Sequence, residues 1–419
     1  MKDTEKVQIL KDLINIPSVN GNEEAVSDYL VQLFGLHGIK AKKIQQFPGR
    51  TDLVAEIGDG GHPIIGLSGH QDTVKTDSTK WADDPFIAVE KDGLIYGLGA
   101  SDMKSGLAEF VIMMIELKDM NAVTHGTLRF MATISEELTE QGAKHLTELG
   151  YADDLDALII SEPTGVPLEN IREYFQGGAF IDPHEYFKLQ TALETSKQQD
   201  GEQHFIVGAH KGWMTYKVEA RGKSVHSSMP SLGVNAVDSL VQYYLAEKEF
   251  YSKLEYQNSL LGKTVYAPDV FHGGDQVNSV PDYAYEQVKV RTIPEFPNNQ
   301  LIEALQLIIT ELNETPTIDL KLTVEYSEDP VINFGRSELT HLLQENASQF
   351  LKQPLPLPTI GVSLGTDASE FVRGNPEMEV VILGPGNTSA HQVNEYVDVQ
   401  VYLKMIDLFK TSVISYLQK

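Results

Sequence analysis

Pro63-Ile64-Ile65-Gly66-Leu67-Ser68-Gly69-His70 is an apolar and small run that breaks at once into Gln71-Asp72-Thr73-Val74. An unbroken apolar stretch bounded in this way reads as a strand buried on both faces, the kind found in parallel α/β sheets. Two later stretches repeat the arrangement: Leu128 to Ser135 stops one residue before Glu136, and Ala157 to Ser161 one residue before Glu162. Three side chains able to bind a metal therefore stand just past strand carboxyl ends, where open α/β sheets bind ligands. Helical spacing alternates with the strands, first in Leu107, Phe110, Val111, Met114 and Ile115, later in Tyr402, Met405, Ile406, Phe409, Val413, Tyr416 and Leu417. That alternation predicts an α/β domain with a mostly parallel sheet.

The stretch from Trp213 to Ser327 has a different rhythm. Tyr216, Val218 and Ala220 alternate as in a strand, Asn235 to Leu254 is helical, Thr264 to Phe271 and Tyr285 to Arg291 are strand-like, Gln300 to Leu312 is helical, and Leu320, Leu322, Val324 and Tyr326 alternate again. The order β-α-β-β-α-β is that of the ferredoxin-like unit. Residues 213–327 are expected to form an inserted lid or dimerisation domain. Residues 1–212 and 328–419 then form one discontinuous catalytic domain, which resumes near Asn333. Two or three domains suit 419 residues at ~100 to 200 per domain.

Composition narrows the chemistry. With no cysteine, there is no disulfide, thiolate nucleophile or cysteine-bound zinc, and any transition-metal site must use His, Asp and Glu. Lys and Arg number 33 against 60 Asp and Glu, a net charge of -27, which opposes nucleic acid and anionic membrane as partners because both require basic patches. Met1-Lys2-Asp3-Thr4-Glu5-Lys6 leads into a charged amphipathic helix rather than a secretory signal, and no apolar run reaches the ~18 residues of a membrane span. A cytoplasmic protein is expected.

Five segments carry potential ligands in order: His70, Asp102 in Ser101-Asp102-Met103-Lys104, Glu136-Glu137, Glu162 in Glu162-Pro163-Thr164, and His391 in His391-Gln392-Val393-Asn394-Glu395. Each has an ordinary structural reading: a hydrogen-bonded strand-end histidine, a helix cap at Asp102, an exposed acidic helix start at Glu136-Glu137, and loop residues at Glu162 and His391. If strand geometry continues past His70, Asp72 shares its face and can accept the ring N–H that His70 does not offer to a metal. Adjacent carboxylates after an apolar strand repel unless a cation separates them or one is protonated. The joint occurrence of all five segments points to two metal ions with one carboxylate left over as a base.

On these segments the chain resembles the dizinc amidohydrolases and metallopeptidases that include succinyl-diaminopimelate desuccinylase, acetylornithine deacetylase, aminoacylase, glutamate carboxypeptidase and several di- and tripeptidases. The resemblance extends over nearly the whole chain, including Gly222-Lys223-Ser224-Val225-His226-Ser227-Ser228 in the inserted domain. It implies a zinc-peptidase-like α/β catalytic domain holding two zinc ions, with cobalt able to substitute. Asp102 would bridge them, His70 and Glu162 would complete one site, and Glu137 and His391 the other. Glu136 is left as general acid/base, and His226 from the lid of a partner subunit would stabilise the oxyanion, in a homodimer formed through the lid. Taken alone, His226 is an exposed loop histidine.

The resemblance is greatest to the desuccinylase branch, where Asn278, Arg291, Gly365, Thr366 and Asn387 match contacts to a substrate carboxylate. Arg291 alternates onto the face opposite Val288 and Val290, so a solvent-facing arginine is the plain alternative. Lys211 is a second possible anion contact or a surface lysine. The expected reaction is hydrolysis of an amide in an N-acyl amino acid, first N-succinyl-LL-diaminopimelate, with acetylornithine or a short peptide as rival substrates. A metal-binding protein without catalysis is disfavoured by the presence of Glu136 and His226. One departure from the resemblance stands out: an extra segment around 165–208, where Asp182-Pro183-His184-Glu185 starts a solvated surface helix that ends near Gly201.

Overall fold

Strand Ile64–His70 lies at the centre of the main sheet with every residue buried, as its sequence requires. The computed structural model describes residues 1–196, 201–332 and 337–419. Two compact units result: Met1–Ala209, Asn333–Val362 and Thr366–Lys419 form the first, His210–Ile332 and Ser363–Gly365 the second. The resumption expected near Asn333 lies outside the described residues.

In the first unit, Ile64–His70 pairs in parallel with Thr127–Thr133 on one side and Ala157–Ile160 on the other, and Ala157–Ile160 pairs in parallel with Glu379–Ile382. Farther out, antiparallel pairs join it: Ala41–Phe47 with Arg50–Gly58, Arg50–Gly58 with Thr127–Thr133, and Glu379–Ile382 with Ile206–His210. The sheet is therefore mixed rather than mostly parallel. A short turn between Phe47 and Arg50 can join only an antiparallel pair, since a parallel connection needs a long crossover.

Helix Lys104–Asp119 is buried from Lys104 to Leu117, which explains why it is apolar on all sides. Gly106 lets it approach the strand ends: a Cβ there would lie 2.1 Å from the Ser161 carbonyl oxygen. The one cation in this buried stretch, Lys104, donates to the carbonyls of Leu13 and Ile16 at 3.0 and 2.7 Å.

The second unit has an antiparallel sheet in the order Val265–Gly273, Tyr283–Thr292, Gly212–Arg221, Asp319–Glu328. Helices Ala236–Ser252 and Asn298–Asn313 cover the face bearing Met214, Tyr216, Val218, Val288 and Val290. Asn235 starts the first helix by accepting from Val237 N at 3.0 Å. The chain order is the expected ferredoxin-like β-α-β-β-α-β.

The extra segment is more than a surface helix. Its helix Pro183–Ser196 is capped by Asp182, whose Oδ1 accepts from His184 N at 2.8 Å, and residues 197–200 of its expected end lie outside the described residues. Before that helix, Phe180–Ile181 joins the main sheet beside Thr359–Val362. Around it, Gly165–Pro167 and Glu202–His204 form an antiparallel ribbon. No helix among the described residues is long and apolar enough to cross a membrane.

Candidate metal centre

His70 ends its strand fully buried, and Nδ1 donates to the backbone carbonyl of Asp72 at 2.9 Å. That bond fixes the ring and turns Nε2 toward Asp102 Oδ1, 3.0 Å away. The Asp72 carboxylate does not take the expected ring N–H. It lies 3.6 Å from Nδ1 and instead accepts from Glu136 N and Glu137 N at 3.2 and 3.4 Å. Strand geometry stops at His70, so the alternation that would have aligned the two side chains does not carry through to Asp72. Burial, above all, pushes the Asp72 carboxyl up to about 6.

Asp102 stands between Gly99-Ala100-Ser101 and the helix beginning at Lys104. The helix has Met103 at its N-cap with no side-chain cap bond, so Asp102 is not spent as a cap. Its two oxygens face different imidazoles: Oδ1 lies 3.0 Å from His70 Nε2 and Oδ2 3.3 Å from His391 Nε2. Burial alone would raise the Asp102 pKa, and the hydrogen bonds from His391 and His70 reverse that and hold it low.

Glu136 and Glu137 open the short helical turn Glu136–Thr139 after Ser135, which turns the chain with φ 63°. Neither is an exposed acid. Glu137 Oε2 is 2.9 Å from His391 Nε2, while Glu136 Oε2 and Glu162 Oε2 each lie 4.0 Å from His70 Nε2. Potential ligand atoms of His70, Asp102 and Glu137 fall within 4.8 Å of one another, as do those of His70, Glu136 and Glu162.

The electrostatics are those of a site crowded with acids. Burial, then the neighbouring Glu162, pushes Glu136 well above the usual carboxyl range, and burial, then Asp102, does the same for Glu162. Burial opposes a charge on His70, yet Asp102, Glu162, Glu136 and Asp72 together hold its pKa well above that of a free imidazole. Hydrogen bonds to Asp102 and Glu137 push His391 up to about 10. Glu137 Oε1 and Glu162 Oε1 are buried without a hydrogen-bond partner, a costly arrangement that a bound cation relieves. Imidazole and carboxylate donors without thiolate suit a catalytic zinc-type centre, so these residues fit a pair of divalent ions.

Two acidic groups of the centre carry no role in the sequence reading. Glu395, buried and pushed up to about 8 chiefly by burial, accepts from Gly99 N, Ser101 N and Asp102 N at 3.0, 2.8 and 2.8 Å and so anchors the Asp102 turn. Asp367 is buried, accepts from Thr133 Oγ1 at 2.6 Å and raises both Glu136 and Glu162. The available signals were their positions, Glu395 at the end of the His391 segment and Asp367 directly after Gly365-Thr366.

Of the expected substrate contacts, Asn387 and Thr366 belong to the first unit. Asn387 is buried, and its Nδ2 donates to Glu202 Oε1 at 2.8 Å and to the Tyr396 carbonyl at 3.3 Å, while Oδ1 accepts from Ser389 N at 2.8 Å. Thr366 Oγ1 accepts from Ala368 N at 3.2 Å. His226, Asn278, Arg291, Lys211 and Gly365 belong to the second unit. His226 and Asn278 are exposed there, and the Arg291 guanidinium lies 5.8 Å from the Trp213 ring centre. Lys211 is not a surface lysine: it is buried, donates to the Lys263 carbonyl at 2.5 Å, and has its pKa lowered to about 8 by burial and Arg291.

Imidazoles and carboxylates gathered past the carboxyl ends of parallel strands mark the class of metal-dependent hydrolases. Within that class the chain belongs to peptidase family M20/M25/M40, whose profile matches residues 66–415, and it is a metal-dependent amidohydrolase or peptidase. A probable succinyl-diaminopimelate desuccinylase of Staphylococcus aureus is 36% identical, with 100% of this chain and 98% of the relative covered. The crystal structure of a Staphylococcus aureus tripeptidase shares the fold at TM-score 0.72 and 22% identity, with both chains covered in full. A Bacillus subtilis protein described as a dinuclear metal binding peptidase of the M20 family superposes at TM-score 0.68 and 15% identity, covering 99% of this chain and 98% of the other.

Proposed function

We propose that this chain hydrolyses N-succinyl-LL-diaminopimelate to succinate and LL-diaminopimelate at a two-zinc centre. The observation that carries the two-metal reading is Asp102, whose two carboxylate oxygens face His70 and His391 separately. His70 and Glu162 would hold one ion with Asp102, and Glu137 and His391 the other. Such ions, when bound, polarise the scissile carbonyl and lower the pKa of water from 15.7 to about 7. Glu136 takes the proton released as water attacks and returns it to the leaving amine. Asp72 works from behind, fixing His70 through its backbone carbonyl and the Glu136-Glu137 turn through its carboxylate.

His226 supplies the oxyanion donor. Its Nδ1 accepts from Ser228 N at 3.2 Å, so in the neutral ring the proton sits on Nε2, free to donate. The reading places His226 in the partner's active site within a homodimer. Strand Val265–Gly273 supports such pairing: it is the edge of its sheet and almost wholly exposed, with Val270 and Phe271 at the surface. An edge of that kind is a template for a second strand.

The succinyl substrate is supported by the relative that matches over the full chain at 36% identity. Arg291 and Lys211 are the cations this reading assigns to its carboxylates. The test is a panel of N-succinyl-LL-diaminopimelate, N-acetylornithine and tripeptides assayed with zinc or cobalt. The succinyl substrate is expected to exceed the others in kcat/KM by ~100-fold or more, the scale available to a matched polar pocket. Faster turnover of a tripeptide would instead make the chain a peptidase.

A further inference from the structure

The extra segment runs within the first unit beside the loop that carries His391. Gly165 N donates to the Gly386 carbonyl at 2.8 Å and Thr388 N to the Gly165 carbonyl at 3.1 Å. Glu202–His204 pairs against Gly165–Pro167, which brings the Glu202 carboxylate onto Asn387. The approach is close: a Cβ on Gly165 would lie 2.6 Å from His204 Cε1 and 2.8 Å from Glu202 Oε2.

Asn387 uses the orientation that Glu202 imposes. With one amide hydrogen on Glu202 Oε1, the other reaches the Tyr396 carbonyl at 3.3 Å and Oδ1 receives Ser389 N at 2.8 Å. A single buried amide thus ties together the two ends of the loop Ser389–Tyr396. Within that loop His391 and Asn394 have φ 62° and 61°, a left-handed conformation that is uncommon outside glycine, although asparagine and histidine enter it more readily than most. Flipping the Asn387 amide would put its oxygen against Glu202 and the Tyr396 carbonyl and its NH2 against Ser389 N, so Glu202 selects the orientation that closes the loop.

We propose that Glu202 is a positioning residue for His391, and that the extra segment sets the affinity of the ion held by His391, Glu137 and Asp102. The inference rests on the reading of His391 as a ligand. Removing a partner of this kind from behind a metal ligand typically costs ~10–100-fold in affinity.

The test titrates the metal-free full-length protein with cobalt(II), following the visible absorption and the heat of binding, for wild type, Glu202→Ala, Glu202→Gln and His391→Ala. The binding step lost in His391→Ala identifies the ion concerned. Glu202→Ala is expected to weaken that step ~10–100-fold and leave the other unchanged, which also shows that the centre is folded. Glu202→Gln is expected to restore most of the affinity, because its amide oxygen can still accept from Asn387 Nδ2. If Glu202→Ala binds both ions as the wild type does, or loses both equally, the positioning role is overturned while the ligand reading stands. If His391→Ala loses no step, the ligand reading fails and the positioning role with it.

Discussion

Glu136 and Glu137 are sequence neighbours with different partners. Glu137 Oε2 touches His391 at 2.9 Å, whereas Glu136 Oε2 stands 4.0 Å from His70, close enough to serve a reacting group held between them. Glu136→Ala is therefore expected to retain both ions and lose ~10²–10⁴-fold in kcat, the usual worth of a general acid/base. Glu137→Ala should lose one ion. Metal analysis beside steady-state kinetics checks both, and equal metal content with equal residual activity would remove the distinction. At this scale His70, Glu136 and Glu162 were visible as polar breaks after apolar runs, because a strand end presents its next side chain to the site. Their supports were not. The Asp102 turn is held by Glu395 across 293 residues of chain, a contact no local pattern encodes, and Asp72 uses its backbone carbonyl on His70, which residue identity does not reveal.

Elements were readable where one period held. Strand Ile64–His70 and helix Lys104–Asp119 follow from continuous burial, and the switch to alternation marked the second unit. What alternation could not show is which inward positions are polar. Glu286 lies inside strand Tyr283–Thr292 with both carboxylate oxygens buried and without a hydrogen-bond partner, and burial, then Glu247, raises its pKa from 4.5 to about 8. Below pH 4.5 it is protonated whether folded or unfolded and adds no pH dependence. Between there and about 8 the unfolded chain ionises while the folded one keeps its proton, so stability falls as pH rises and levels off above about 8. Glu286→Gln should flatten that slope and melt above the wild type at pH 8.5. Thermal unfolding of both proteins from pH 4 to 9 decides it, and identical pH dependence would contradict the burial argument.

For the molecule as a whole, the inserted ferredoxin-like order was legible from rhythm alone. In the extra segment the helix after Asp182 was legible, but the short strands Gly165–Pro167, Phe180–Ile181 and Glu202–His204 were not, because they are too brief to carry a period and find their partners far along the chain. If edge strand Val265–Gly273 pairs two copies, Phe271→Glu should give a monomer by light scattering that keeps its metals and loses ~10²–10³-fold in rate, the cost of one oxyanion donor. Mixing His226→Ala with Glu136→Ala under subunit exchange should return up to half of normal activity per mixed dimer, and no recovery despite verified exchange would confine His226 to its own chain. The central claim, one carboxylate shared by two ions, is tested most directly by equilibrium dialysis against zinc followed by metal analysis of wild type and Asp102→Ala. The expected result is close to two tightly bound ions per chain in the wild type and loss of tight binding at both sites in the variant; two ions still held tightly by Asp102→Ala would contradict it.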